Sequence, residues 1–439
     1  MAGAERIPLT DHVADAIALL ADVRHGEVVP LDGEAVGRVA RGDDRARVDV
    51  PGVDNSQMDG YALASADLRA ALGTAGSGPA SGAQPLTLPL GPTIAAGDAP
   101  GTLAAGTARP IMTGAPIPDG ADLVIPVEES DAGRFAPAVV TDSAAARPAT
   151  AEPTVSLTPL SGEPGRFVRR RGSDTLRGDT VLRAGQVLTP ARIAHLAACG
   201  LGDVEVEARL RVIVLSTGSE VAGPDAAPVD GGVFDANGPG LAAALRAAGA
   251  DVVARATVPD DAAALVDQLR GLVAEHDADL VVTSGGVSAG AFEVVRHAAA
   301  GTGVTMAFPK VALQPGGPQG IGTLDLPDRR VPWLAFPGNP VSALISCELI
   351  ARPALGAPPR TRLRLPVQLE ADEPSPPALE QYRRARLLPS GRVRLIGGAS
   401  SHLIGSFAAA DALVIVPAGI DIVRDGDTLE TLLIPGGES

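Results

Sequence analysis

RVIVLSTGSE (211–220) and ADLVVTSGGVSAG (278–290) decide the fold. Each is a short unbroken run of Val, Ile and Leu that stops at Ser or Thr and a glycine turn. An apolar run without alternation reads as a strand buried on both faces, as in a parallel sheet. Between and after these stretches the pattern repeats. A helix is expected over 239–248, with Pro239 in its first turn and Gly249 closing it. Residues 251–257 read as a strand that ends in VPDD (258–261), followed by a helix to about Glu275. A helix is expected over 292–299. Residues 333–336 read as a strand that ends in PGNP (337–340), before a long apolar helix over 341–355. Strand, loop and helix in regular succession imply an α/β module, a parallel sheet with helices on both faces.

The flanking sequence has a different texture. An amphipathic helix is expected over 13–20. Residues 51–127 are turn-rich, with short apolar pieces at 86–90 and 123–127, which suits a small β domain. Residues 128–165 are rich in Ala, Pro, Ser and Thr and read as a solvated loop or hairpin excursion. A linker is expected over 356–366, before a second small β domain. A chain of 439 residues allows about three domains at ~150 residues each.

Composition removes several classes of function. Aromatic residues are only 2% of the chain, so the core must be built from Ala, Val, Leu and Ile. Gly (52) and Pro (39) are abundant, but no G-x-y period accompanies them, which excludes collagen. The net charge of −16 argues against a nucleic-acid binder, whose affinity comes from neutralising phosphates. Two cysteines, Cys199 and Cys347, cannot build a disulfide framework or a four-thiolate zinc site. No signal-peptide pattern opens the chain, and no stretch of 18 apolar residues occurs. The expectation is a soluble cytoplasmic protein with no membrane or nucleic-acid partner.

In an open α/β sheet, ligands bind at the carboxyl ends of the strands. The unusual residues collect there: Ser216, Thr217 and Gly218; Ser284, Gly285, Gly286 and Ser288; Pro337, Gly338, Asn339 and Pro340. Glycine turns that lead into helices expose backbone N–H groups, which can hold an anion without Lys or Arg. This reconciles an acidic chain with a phosphate-bearing ligand. Glu220, Asp235, Asp260, Asp261 and Glu293 accompany the turns, and Mg²⁺ beside a phosphate is usually held by one or two carboxylates. The plainer reading makes Asp235 a cap or turn residue for Asn237-Gly-Pro and Asp260 the N-cap of the next helix. Three earlier segments also stand out. DNSQMDGY (54–61) places Asp54 and Asp59 in a turn-forming run. PIMTGAPIPDG (110–120) sets Thr113 before a glycine. RRRGSD (169–174) combines fixed cations, suited to bidentate phosphate contacts, with Asp174.

In order, VDNSQMDGYAL (53–63), RPIMTGAPIPDGADLVIPVEE (109–129), VRRRGSD (168–174), RVIVLSTGSEV (211–221), VFDANGPGL (233–241), ADLVVTSGGVSAG (278–290) and LAFPGNPVSA (334–343) resemble the molybdopterin molybdenumtransferase family, that is MoeA and the E domain of gephyrin. The resemblance covers essentially the whole chain. It implies an L-shaped homodimer with four domains per chain: a discontinuous dimerisation domain I (1–50 and 168–208), an inserted β-rich domain II (51–167), a molybdopterin-binding α/β domain III (209–357) and a C-terminal β domain IV (362–439). The implied reaction is Mg²⁺-dependent insertion of molybdate into adenylyl-molybdopterin, with release of AMP. Matched motif by motif, Glu220, Asp235, Asn237 and Asp260 fall where the family lines its nucleotide, pterin and metal site. Asp59, Thr113 and Asp174 fall at functional positions supplied by the other subunit. Contacts with a molybdopterin adenylyltransferase or a molybdoenzyme are also implied.

Two positions depart from the family. Glu293 stands where an Asp is common, one methylene further out. Where the family has one Lys and then K-P-G-K-P, this chain has Lys310, Gln314 and Gly317. Lys310 is its only lysine. Lys310, Gln314 and Ser288 are assigned to the oxyanion and pterin side, and Glu220, Asp235, Asp260 and Glu293 to metal and nucleotide. An amide at Gln314 can still donate two hydrogen bonds. The rival readings are a non-catalytic carrier or chaperone paralogue, and a scaffold, for which the aromatic-poor sequence shows no anchor cluster.

Overall fold

The computed structural model describes residues 6–72, 85–131, 133–135, 153–223, 231–288 and 293–434. Strand β1 (Arg211–Thr217) pairs in parallel with β2 (Asp251–Val258) and β3 (Leu280–Ser284). β3 pairs in parallel with β6 (Arg330–Phe336). These are the four strands expected from the sequence. Two further strands, β4 (Val304–Ala307) and β5 (Gly320–Asp325), continue the sheet beyond β6 as antiparallel neighbours, in the order β2-β1-β3-β6-β5-β4. The sheet is therefore mixed at one edge rather than parallel throughout. VTMA and GIGTLD carry no apolar run, so nothing in their pattern marked them as strands.

The parallel strands are buried on both faces, and β1 shows how. Val212 and Val214 point into one core, with Leu241 and Leu245 of α2 (Asn237–Ala247) and Val341 and Ile345 of α5 (Pro340–Ser346). Ile213 and Leu215 point into the other, with Leu265, Leu269 and Val273 of α3 (Ala262–His276) and Val294 and Val295 of α4 (Val294–Ala299). Each such side chain fully removed from water contributes about 1.5–3 kcal/mol. The first core also takes in Ala16 and Leu20 of α1 (Leu9–Leu20) and Tyr382, Leu413 and Ile415 from the C-terminal part. The long helix expected over 341–355 is not uniform: a π-type turn at Cys347–Ala351 follows α5. Arg352 lies buried beyond it, donating to the carbonyl of Pro358 (2.9 Å) with Glu348 alongside.

Around this module stand smaller sheets. Gly60–Leu63 lies between Arg109–Ile111 and Leu123–Pro126. Leu86–Pro89 pairs with Thr154–Leu157, so the Ala/Pro-rich excursion contains a strand; its residues 132 and 136–152 lie outside the described ones. A second six-stranded sheet contains Leu313–Gln314, Arg362–Gln368, Glu380–Leu387, Val393–Leu395, Ala412–Val416 and Thr428–Leu433. Its first long strand starts inside the stretch expected to be a linker. No described helix is long and apolar enough to cross a membrane.

Trp333 of β6 is fully buried, and its indole N–H donates to Thr283 Oγ1 on β3 at 3.0 Å. Thr283→Val keeps the shape but orphans that N–H, so unfolding is expected to become easier by about 1–3 kcal/mol. Fluorescence of Trp333, the only tryptophan, followed through a urea titration measures this. An unchanged midpoint would count against the bond.

Candidate active site at the carboxyl edge of the sheet

Because β1, β2, β3 and β6 run in parallel, the turns after them leave the sheet along one edge. The 308–319 loop joins them there, since Ala307 pairs with Ile321 and Gly320 with Ala335 at the end of β6. The sequence-expected loops thus converge, and side chains lock them. Asn237, at the start of α2, donates through Nδ2 to Ser284 Oγ (2.7 Å) and to the Gly338 carbonyl (2.7 Å). Ser284 Oγ donates to the Pro337 carbonyl at 3.1 Å, and Thr217 Oγ1 to the Ser284 carbonyl at 3.3 Å. Asn237 Oδ1 is buried and has no donor among the described residues.

Gly285 is at φ +99°, and a Cβ there would lie 2.5 Å from Thr217 Oγ1 and 2.8 Å from the Thr217 carbonyl oxygen. Only glycine lets the turns after β1 and β3 approach this closely. Asn339 precedes α5, with Pro340 in the first turn, and its side chain makes no capping bond but donates to Ser401 Oγ (2.9 Å) in the C-terminal part. Ser288 is exposed at the edge of the described residues.

The carboxylates divide into two kinds. Asp235 Oδ1 accepts from Ser216 Oγ (2.8 Å) and from Gly238 N–H (2.8 Å). It performs the capping task that the plainer reading assigned to it. Asp260 does not cap the next helix; Asp261 does, accepting from Ala264 N–H at 2.8 Å. Asp260 is exposed and faces back to the turn after β1: Ser219 N–H donates to Asp260 Oδ2 (3.2 Å), and Ser219 Oγ accepts from Asp260 N–H (3.1 Å). Glu220 is the next residue after Ser219 and exposed, so Glu220 and Asp260 both adjoin that serine. Glu293 precedes α4 and does not cap it through its side chain. Among the described residues, no three His, Cys, Asp or Glu side chains form a group that could hold a metal. Glu220, Asp235, Asp260 and Glu293 are thus not a ready-made cage.

On the 308–319 loop, exposed Lys310 bridges to Pro318, and its carbonyl accepts from Ile7 N–H at 2.9 Å. Gln314 Oε1 accepts from Gln381 Nε2 at 2.8 Å, and among the described residues the Gln314 NH₂ has no acceptor. At Gly317 a Cβ would lie 3.1 Å from Arg6 Nη1. A guanidinium from the start of the chain thus stands where a side chain at 317 would begin. Gln319, fully buried, donates to the Gly316 carbonyl (2.6 Å) and to Ser346 Oγ (2.7 Å) and fixes the turn. Sequence reasoning missed Arg6, Gln319 and Ser401, because only contacts distant in sequence give them roles.

The N-terminal candidates form a separate group. Asp59 Oδ1 accepts from both Thr113 N–H (2.7 Å) and Thr113 Oγ1 (2.8 Å). Asn55–Ser56 pairs with Val168–Arg169, which places the arginine run beside this turn. Arg170 pairs with Asp54 at 2.6 Å, and Arg171 pairs with Asp49 at 2.5 Å. The Arg171 backbone N–H, aided by Arg170, holds the Asp54 carboxyl below its ordinary pKa. Asp174 is exposed at the end of this run.

This fold is an α/β module, with loops gathered at one edge of its sheet, carried between accessory β-rich parts. Models of the MoeA N-terminal region (domain I and II), the probable molybdopterin binding domain and the MoeA C-terminal region (domain IV) match residues 7–200, 213–357 and 366–434. Molybdopterin molybdenumtransferase 2 of Mycobacterium tuberculosis is 41% identical over 92% of this chain and 93% of its own. The molybdopterin molybdenumtransferase of Synechococcus elongatus is 34% identical over 92% and 93%. The solved structure of a molybdopterin biosynthesis MoeA protein from Pyrococcus horikoshii, 25% identical, superposes with TM-score 0.72 over 98% of this chain and 99% of that one. The chain belongs to the molybdopterin molybdenumtransferase family and is an enzyme of the transferase class.

The two neighbouring aspartates are expected to behave oppositely. Asp261→Ala removes a helix cap and lowers stability by about 1 kcal/mol. Asp260→Ala leaves the melting temperature nearly unchanged. Calorimetry of the two variants checks this, and equal losses would contradict the division.

Proposed function

We propose that this chain transfers molybdenum from molybdate into the dithiolene of adenylyl-molybdopterin and releases AMP. The observation that carries the reading is the Asn237 cross-link. It closes the turns after β3 and β6 over a site at the start of α2, yet leaves Asn237 Oδ1 buried without a donor among the described residues. A buried acceptor of this kind calls for a partner, and a ligand N–H supplies one. Carrier function alone gives no reason for Glu220 and Asp260, exposed and in no ion pair among the described residues, to flank one serine.

In this reading the phosphate sits at the turns after β1 and β3, with Gly286 N–H as donor, since the N–H groups of Gly218 and Gly285 already donate to the carbonyls of Val258 (3.1 Å) and Phe336 (2.9 Å). Glu220 and Asp260 are hard oxygen donors that fit Mg²⁺ shared with that phosphate, in keeping with an ion usually held by only one or two protein carboxylates. Bound there, Mg²⁺ would stabilise charge that develops on the phosphate as AMP departs. Asp235 acts as a positioning residue that holds Ser216 and α2. Lys310, the Gln314 NH₂ and the Arg6 guanidinium supply donors for the oxyanion. Arg384 donates to the carbonyls of Ser400 (2.8 Å) and Gly398 (2.6 Å) and so positions the segment that docks on Asn339.

The reading also includes a homodimer, with Asp59, Thr113 and Asp174 facing the module of the other subunit, and the four-domain division at 1–50 with 168–208, 51–167, 209–357 and 362–439. It places the protein in the cytoplasm.

Asp260→Ala is expected to abolish molybdate-dependent AMP release from adenylyl-molybdopterin. Full turnover in that variant would overturn the assignment. Asp59→Ala and Asp260→Ala subunits, each inactive alone, are expected to regain activity when co-assembled, because one composite site is then intact. Continued inactivity of the mixed dimer would place all site residues in one chain. Arg6→Ala is expected to raise the half-saturating molybdate concentration about tenfold or more, as for loss of a hydrogen bond from a charged donor. An unchanged molybdate titration would remove Arg6 from the site.

A further inference from the structure

Phe234 is the only exposed aromatic residue among the described ones: it is 61% exposed, while Trp333, Tyr61, Tyr382 and Phe336 are buried. It belongs to a two-stranded parallel ribbon in which Val221–Ala222 pairs with Val233–Phe234. Both strands of the ribbon grow out of the candidate site. Val221 follows Glu220, and Val233 N–H donates to the Glu220 carbonyl at 2.9 Å. Asp235 follows Phe234, and its N–H donates to the Ala222 carbonyl at 2.9 Å. The Asp235 carboxylate is in turn fixed to Ser216 and Gly238. Phe234 is therefore tied at both ends to the turns that would receive the phosphate.

Apart from Glu220 and the buried Val287, the turns consist of Ser, Thr, Gly, Asn, Asp and Pro, and these offer donors and acceptors but no exposed apolar surface for a planar ring. Three residues after Phe234, Asn237 Oδ1 is buried without a donor among the described residues. An aromatic face and an orphaned acceptor on one short segment match the two recognition features of a heteroaromatic ring, its face and its N–H edge.

We propose that Phe234 is the stacking residue for a planar heteroaromatic ring of the substrate. The inference rests on the reading of this edge as the site for a nucleotide-bearing pterin. It adds a specificity-determining residue to that site.

The test uses the full-length protein and calorimetric titration with three probes in the presence of Mg²⁺: AMP, pterin-6-carboxylate and ribose 5-phosphate. Phe234→Ala is expected to lose about tenfold or more in affinity for one of the two ring-bearing probes, and which one it loses identifies the ring. Phe234→Tyr is expected to retain the affinity of the unaltered protein, and ribose 5-phosphate is expected to bind both variants alike. Equal affinities of Phe234→Ala and the unaltered protein for both ring-bearing probes would overturn the proposal. So would a smaller sedimentation coefficient for Phe234→Ala, because it would make Phe234 a contact between subunits. If the unaltered protein binds none of the three probes, the nucleotide reading of the edge itself fails, and stacking fails with it.

Discussion

One amide group holds the candidate site in shape. The Asn237 NH₂ reaches both Ser284 Oγ and the Gly338 carbonyl, and so ties the first turn of α2 to the turns after β3 and β6. The orientation of this amide is fixed by chemistry, since a carbonyl can only accept and the NH₂ must face it. The oxygen is therefore directed away from these partners. The cross-link adds to the bonds from Gly285 N–H to the Phe336 carbonyl and from Ser284 Oγ to the Pro337 carbonyl, which already join the turns after β3 and β6. Gly285 makes the link possible by letting β1 and β3 end almost in contact.

Much of this was legible in the sequence, for a definite physical reason. Strands buried on both faces must be apolar without interruption, and RVIVL, LVVT and WLAF are. Turns that expose N–H groups at strand ends need glycine, and STGSE, TSGGVS and PGN have it. The illegible parts are those where neighbours distant in sequence decide. β4 and β5 are strands because β6 offers them an edge, not because of their own pattern. Asp260 and Asp261 are equal candidates for a cap until the backbone shows which one meets Ala264 N–H. The arginine run 169–171 reads as suited to phosphate, whereas Arg170 and Arg171, though exposed, are paired with Asp54 and Asp49. The pairing of Asp59 with Thr113 in the N-terminal half is the least legible of all, because 54 residues separate the two.

The charge pattern follows from the same architecture. A chain with a net charge of −16 and one lysine does not attract anions through its overall field. Oriented backbone dipoles act at contact distance and are little affected by distant carboxylates. Cations are then needed at few places. Lys310 and Arg6 meet on one loop although they are far apart in sequence.

That meeting has a consequence for how the protein is made. The Ile7 N–H bonds to the Lys310 carbonyl, and the Ile7 carbonyl accepts from Ala312 N–H at 2.8 Å. Ala16 and Leu20 of α1 pack into the core of the α/β module. At a synthesis rate of about 5–20 residues per second, the ribosome needs about 15–60 s to travel from Ile7 to Lys310. For that interval α1 has an apolar face and no core to cover it. The helix α1 is thus among the last elements to find its place.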